Sequence, residues 1–181
     1  MITTRLIRPD DVPELVSLLL RNREFLAPWS PVRGDDYATA EIQRVLMQAA
    51  LEQCELGTTL PHVILDDDGD LVGRITLNGI VRGPFQSCSV GYWVGETDNG
   101  RGVATAAVRD IVRVAFEELG LHRLQAETML HNVRSQRVLE RAGFTRYGIA
   151  PAYLKIAGTW QDHILWQTLS PTPQRPSADV L

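Results

Sequence analysis

The sequence predicts a mixed α/β domain, one sheet covered by helices. The chain has 181 residues, a length that favours one domain, and 44% of them are apolar, enough for a sizeable core. Its periodic segments alternate between two kinds. Antiparallel hairpins come early and crossover helices come late, the pattern of a single mixed sheet with helical cover.

The elements follow in order. "TRLIR" (4–8) alternates and reads as a first strand. Asp10 or Asp11 then caps a helix whose period is carried by Val12, Leu15, Val16 and Leu19. "NREFLAPWSPVRGDD" (22–36) breaks the pattern with two prolines and a glycine. It also carries Phe25, Leu26 and Trp29, so it is a loop either pinned on the core or lining a substrate. A second helix over about 37–55 places Ile42, Val45, Leu46 and Ala49 on one face. "HVILDDDGDLVGRITLNGI" (62–80) is a hairpin around Gly69, and its acidic run is a solvated turn rather than a metal loop. "SCSVGYWVG" (87–95) is the next strand. A Gly-rich loop leads to a long helix ending near Leu119, striped by Val108, Ile111, Val112, Ala115, Phe116 and Leu119. A strand "RLQAETM" (123–129), a helix within "HNVRSQRVLERAGF" (131–144) and further strands to about Leu169 complete a domain over 1–169. The tail over 170–181, rich in Pro and Ser, is expected to be flexible.

Composition excludes several classes. A net charge of −4 carries no general nucleic-acid footprint. Cys54 and Cys88 have no CxxC spacing, and the four histidines have no ligand spacing, so neither a disulfide framework nor a metal is expected. The beginning shows no signal-peptide pattern, and the apolar runs are too short to span a membrane. A reducing cytoplasmic setting fits these features.

Two stretches carry chemistry. "NGRGVAT" (99–105) lies between a strand and a helix. Gly100 and Gly102 let the backbone approach a ligand, and the helix start offers free N–H groups, an anion site suited to a pyrophosphate. The loop lacks the GK[ST] ending of a Walker A motif and the third glycine of the dinucleotide fingerprint; a plain tight turn is the competing reading. In "HNVRSQRVLERAGF", Asn132 stands at the N-cap, Gly143 ends the helix, and Val138, Leu139 and Ala142 share a face. Capping explains Asn132 but does not require Ser135. The pair can hold an amide and a thiol together: Asn132 donates and accepts, while Ser135 can give a hydrogen bond or proton to a leaving thiolate. A merely capped structural helix is the alternative. A pyrophosphate site followed by an amide-and-thiol site matches the anatomy of coenzyme A.

These stretches resemble motifs of the GNAT acetyltransferases. "NGRGVAT" is similar to their Q/R-x-x-G-x-G/A loop, and "HNVRSQRVLERAGF" to the N-x-x-S…GF helix of the RimJ/RimL branch. The resemblance continues at "NREFLAPWSPVR", "VRGPFQSCSVGYWVG" and "YLKIAGTWQDHILW", covering nearly all of the chain to about 169. It implies a mostly antiparallel twisted sheet of about seven strands with about four helices, splayed at an acetyl-CoA cleft. It implies an acetyl-CoA-dependent N-acetyltransferase, without metal, acting on a protein N-terminus such as the alanine of a small-subunit ribosomal protein. Trp93, Val94, Asn99, Gly100, Arg101, Gly102, Val103, Ala104, Thr105, Asn132, Ser135 and Arg137 would hold the cosubstrate, and Phe25, Trp29 and Tyr92 the acceptor. Ser135 would be the general acid.

Two positions depart from the family pattern. Asn99 replaces the usual Gln or Arg. Ala152 stands where relatives often have a carboxylate, which leaves Glu96 and Glu127 as candidate bases. An α-amine, with a pKa of about 8 against about 10.4 for lysine, needs only a weak base or a water relay. Rival expectations are acetylation of a small amine, or a non-enzymatic acetyl-CoA-binding module. Acidic residues around the pocket would favour a polycationic small amine. A monomer or a homodimer is compatible with the sequence.

Overall fold

The computed structural model describes residues 1–171. The chain runs β1 (Thr3–Leu6), α1 (Val12–Arg21), α2 (Arg23–Leu26), α3 (Ala40–Glu55), β2 (Leu60–Leu65), β3 (Leu71–Val81) and β4 (Ser87–Val94). It continues through α4 (Val103–Arg113), β5 (Arg123–Met129), α5 (Val133–Arg141), β6 (Thr145–Ile156) and β7 (Thr159–Leu169). The strands form one sheet in the order β1-β2-β3-β4-β5-β7-β6. Every pairing is antiparallel except β4 with β5. The expected flexible tail falls, from residue 172 on, outside the described residues.

Alternation within strands sends successive side chains to opposite faces. On β2, Val63 joins a cluster with Leu15, Leu18 and Met47 of α1 and α3. Its neighbour Ile64 joins the larger cluster built on Val108 and Ile111 of α4 and Leu139 of α5. The sheet is thus sandwiched: α1 and α3 cover one face, α4 and α5 the other. Trp166, 1% exposed, closes the larger core, and its indole N–H donates to Thr128 Oγ1 at 2.9 Å.

Five local expectations change. β1 ends at Leu6, and a 3₁₀ turn over Pro9–Asp11 precedes α1. Asp11 does not cap α1 with its side chain. Its carboxylate instead accepts from the Arg8 N–H at 2.7 Å and from the Arg5 guanidinium at 2.8 and 2.6 Å, a bidentate charge pair stronger than a cap. The segment 22–36 is not loop throughout, because α2 and a 3₁₀ turn at Ala27–Trp29 fold its apolar half. α3 starts at Ala40, capped by Thr39, and its buried residues are Gln43 and Met47. Val45 and Leu46 are 62% and 42% exposed. Gln43 sets this rotation: its amide donates to the Tyr37 carbonyl at 2.6 Å, turning the more apolar arc outward. The long helix keeps its expected stripe but finishes as a π turn over Val114–Glu118.

The sheet opens in its middle. β4 and β5 pair only from Ser87–Arg123 to Ser89–Gln125, so Val90–Val94 and Ala126–Met129 diverge. Gly73 holds the other side of β4 close: a Cβ there would lie 2.3 Å from the Trp93 carbonyl oxygen. The tight β3–β4 contact and the lost β4–β5 contact together produce a cleft at the parallel pair.

Candidate active site

The cleft is walled by β4 on one side and the start of α5 on the other. Phe25, Trp29, Tyr92, Trp93, Val94, Asn99, Ala104, Asn132 and Ser135 all line it, with Leu26, Arg134 and Val138. Residues read separately as cosubstrate and acceptor contacts therefore share one space, Phe25, Trp29 and Tyr92 lying beside Asn132 and Ser135. The His131 ring packs 5.7 Å from Trp29 at its edge.

Asn132 caps α5, accepting the Ser135 N–H at 3.1 Å. The Ser135 hydroxyl lies 2.8 Å from the Tyr92 hydroxyl, across the cleft. Burial pushes the Tyr92 phenol up to about 12, against the smaller opposing effect of its hydrogen bond to Ser135. Tyr92 is therefore fully protonated at neutral pH. When it donates to Ser135 Oγ, the serine proton is free to face a third atom in the cleft. Gln136 fixes the approach to α5 by donating to the Met129 and Leu130 carbonyls at 3.2 and 2.9 Å.

Val94 supplies backbone. The Gly95 N–H donates to Val72 on β3 at 2.8 Å, so alternation turns the Val94 N–H and C=O toward the splayed side. Asn99 braces this corner, its amide donating to the carbonyls of Gly95 at 2.7 Å and Val94 at 3.3 Å. Gly100 and Gly102 adopt φ of 77° and 85°, a left-handed region that suits glycine. The Ala106 N–H bonds Gly102 at 3.0 Å, so the amides of Val103, Ala104 and Thr105 precede the helical ladder and face the loop's concavity. Arg101 is ion-paired with Asp98 at 3.3 Å. Val103 is buried, whereas Arg137 is exposed on α5 and does not line the cleft. This cradle of free amides at a helix start fits a pyrophosphate.

The two carboxylates differ in setting. Glu96 is exposed in the turn Glu96–Asp98, where its N–H donates to Asn22 Oδ1 at 2.7 Å and its carbonyl accepts the Asn99 N–H at 3.2 Å. Glu127 lies half-buried on β5 with the Tyr153 hydroxyl as a polar neighbour, and, like Glu96, it is not among the residues lining the cleft. Burial raises its pKa above the usual carboxylate range, and the Tyr153 hydroxyl offsets part of that. Ala152 is drawn into a left-handed conformation, φ 45°, with its N–H donating to Asp162 Oδ1 at 2.8 Å.

A second cavity of about 430 Å³ adjoins the cleft. Leu26 and Trp93 line both spaces. Its walls come from the end of α1, the segment 23–38, and Ala157 of the β6–β7 turn. Asn22, 6% exposed, ties this wall to β4 by its bond to Glu96 and by donating to the Leu18 carbonyl at 2.8 Å. In the sequence Asn22 is merely the first residue of the Pro-containing segment, with no mark of that role. The Tyr92–Ser135 pairing joins residues 43 positions apart and has no local signal. Among the described residues no cluster of His, Cys, Asp and Glu is arranged for a metal, and no helix is long and apolar enough to cross a membrane.

A seven-stranded sheet splayed at its parallel pair, with an amide cradle and an Asn–Ser helix start at the opening, defines an acyl-CoA-handling transferase. The chain belongs to the GNAT acetyltransferase family: residues 2–145 match the Acetyltransferase (GNAT) domain. It is an acetyl-CoA-dependent N-acetyltransferase. It is 38% identical over 175 residues to "Probable N-acetyltransferase YjcK" of Bacillus subtilis strain 168, covering 96% of this chain and 97% of that one. It is 32% identical over 177 residues to "[Ribosomal protein uS5]-alanine N-acetyltransferase" of Escherichia coli strain K12, covering 96% and 91%. Among solved structures, RimJ of Mycobacterium smegmatis in complex with CoA-disulfide superposes with a TM-score of 0.89 at 30% identity, over 93% of this chain and 81% of that one.

Proposed function

We propose that this protein acetylates the N-terminal α-amine of a protein, in the manner of a ribosomal-protein-alanine acetyltransferase. The observation that carries the proposal is the open cavity of about 430 Å³ meeting the cleft at Leu26 and Trp93. It gives a peptide end room to approach from outside while acetyl-CoA lies in the splay. The 32% identity to a uS5-alanine acetyltransferase supports the same substrate type.

Each residue then has a task. The amides at the start of α4 hold the pyrophosphate, and Asn132 and the Val94 backbone hold the pantetheine arm. Glu127, directly or through water, takes the proton of the attacking amine. A carboxylate with a raised pKa is a better base, provided it stays ionised at the working pH. The Val94 N–H stabilises the oxyanion formed when the amine adds to the thioester carbonyl. Collapse of that adduct breaks the C–S bond, and Ser135, oriented by Tyr92, gives its hydrogen bond or proton to the departing thiolate. Glu96 faces solvent beyond the cleft and is the weaker candidate for the base.

The small-amine reading expects acidic groups around the acceptor space for a polycation. The cavity instead carries Arg23 and Arg33 with Asp35 as its one acid. The test is turnover with acetyl-CoA, followed by intact mass. Substrates are an Ala-starting peptide, the same peptide blocked at its α-amine but containing lysine, and a set of polyamines and aminoglycosides. One acetyl gained on the free Ala terminus alone is the expected result. Acetylation of small amines alone would overturn the substrate assignment and leave the fold and chemistry intact.

A further inference from the structure

The charge of the second cavity is not balanced. Arg23 and Arg33 line it together with Asp35, and Asp35 is occupied by an ion pair with Arg23. Arg33 lays its guanidinium 4.7 Å from the centre of the Tyr37 ring and has no carboxylate partner among the described residues. Behind the wall stands Arg74. It is the register partner of Trp93 across β3 and β4, so the two side chains share a sheet face. Trp93 and Tyr37 both line the cavity. Arg74 is half-buried, lies within electrostatic reach of Tyr37, and makes no hydrogen bond or ion pair among the described residues.

A guanidinium removed from water without a partner is costly, and a nearby anion relieves that cost. Arg74, half-buried behind the lining, has no protein anion to do so, and Arg33, exposed at the mouth, has none either. The cavity also meets the cleft at Trp93, so an anion held there lies close to the reacting amine. We infer that the acceptor space selects amines carrying a carboxylate, read by Arg74 and Arg33. This inference rests on the N-terminal acetylation reading for its peptide form. Cross-strand Cβ atoms lie about 5 Å apart. An extended peptide advances about 3.3 Å per residue. An acidic side chain at the second to fourth residue of the acceptor therefore reaches the arginines while the α-amine reaches the thioester. Polycationic amines are repelled by the same charges.

The experiment measures kcat/KM by intact mass for two series of acceptors. One is C-terminally amidated Ala-starting peptides with Glu, Gln or Lys at the second, third or fourth residue. The other is glutamate α-amide, glutamine α-amide and spermidine, so that only the first carries a carboxylate. Both are run with the unmodified enzyme, Arg74→Met and Arg33→Met. Met keeps the unbranched stem at 74, and Arg33 stands at the cavity mouth, so at least one variant retains the fold. A preference of about tenfold or more for Glu over Gln is expected, lost in Arg74→Met and reduced in Arg33→Met, with the Gln acceptors unchanged. Acetylation of glutamate α-amide without any peptide would overturn the N-terminal reading and leave carboxylate selection standing. Equal Glu and Gln rates would overturn the selection. So would an equal loss for both acceptors in Arg74→Met, a best rate with Lys or spermidine, or no acetylation of any carboxylate-bearing amine.

Discussion

At the scale of single residues, the site turns on one contact that joins distant parts of the chain. Ser135 alone is a helix-start serine; with Tyr92 2.8 Å away it becomes a hydroxyl with a fixed direction. Removing the hydroxyl with Ser135→Ala should lower kcat by about 10²–10⁴, the usual contribution of a positioned acid. Acetyl-CoA affinity should stay close to unchanged. Tyr92→Phe should lower kcat by a smaller factor, and the double variant should be no worse than Ser135→Ala, since both changes disable one unit. Additive losses in steady-state kinetics would show that the hydroxyls act separately. Glu127 makes a second prediction at this scale. Its burial raises its pKa, so on acidification the proposed base would be lost at a higher pH than an ordinary glutamate. The acceptor amine also loses activity below its own pKa of about 8. A plot of log kcat/KM against pH should therefore have slope near one below the amine pKa and steepen further below that of Glu127. Glu127→Gln should be slower throughout and lack the steeper limb.

At the scale of elements, what was legible and what was not divide by the range of the forces involved. α5 was legible because Asn132 and Gly143 act on their own backbone within a few residues. The loop–helix cradle was legible for the same reason, Gly100 and Gly102 being needed for its turns. The rotation of α3 was not. Its apolar arc of Val45, Leu46 and Ala49 obeys a helical period, yet the buried pair is Gln43 and Met47. A hydrogen bond to Tyr37, read as the helix's own first residue but lying in the turn before it, decided which arc faces α1 and β2. Likewise the in–out choice for Glu127 depended on the register with β7, where it stands opposite Leu165. The shape of the second cavity's wall was not legible, because α2 and the following turn fold a stretch whose prolines argue for a loop. The α3 assignment is open to a stability test. Met47→Ala should cost about 2–5 kcal/mol in urea unfolding, as for other buried methionines. Leu46→Gln should change stability by about 0.5 kcal/mol or less. The reverse order would place the helix in the orientation its apolar pattern alone suggests.

At the scale of the whole molecule, the ends of the sheet are tied to the helices by buried polar groups, and these set how stability depends on pH. Thr4 on β1 gives its hydroxyl proton to Asp110 of α4 at 2.7 Å and accepts from its other neighbour, His62 Nδ1, at 3.0 Å. The neutral His62 therefore carries its proton on Nδ1. Burial lowers the His62 pKa, the charge of Asp110 offsetting only part of the effect. Below the unfolded value of about 6.5 the unfolded chain binds a proton that the folded chain resists, so stability falls as pH drops through that region. Asp11 acts lower on the scale. Burial alone would raise its pKa, but the hydrogen bonds from Arg5 and the Arg8 N–H outweigh it, and the net shift is downward. Its contribution is present above the unfolded carboxylate value of about 3.9 and is lost as pH falls through the folded one. Glu127 works in the opposite sense: its raised pKa makes the folded state bind protons first, which relieves some strain between the two windows. Urea unfolding followed from pH 8 down to pH 2 should thus show a first decline beginning near 6.5, a flatter stretch, and a second decline below about 4. His62→Asn should remove the first decline and leave the second, while Asp11→Asn should do the reverse. A single decline confined to the carboxylate range, unchanged by His62→Asn, would mean that the β1–β2–α4 polar bridge does not hold its histidine neutral.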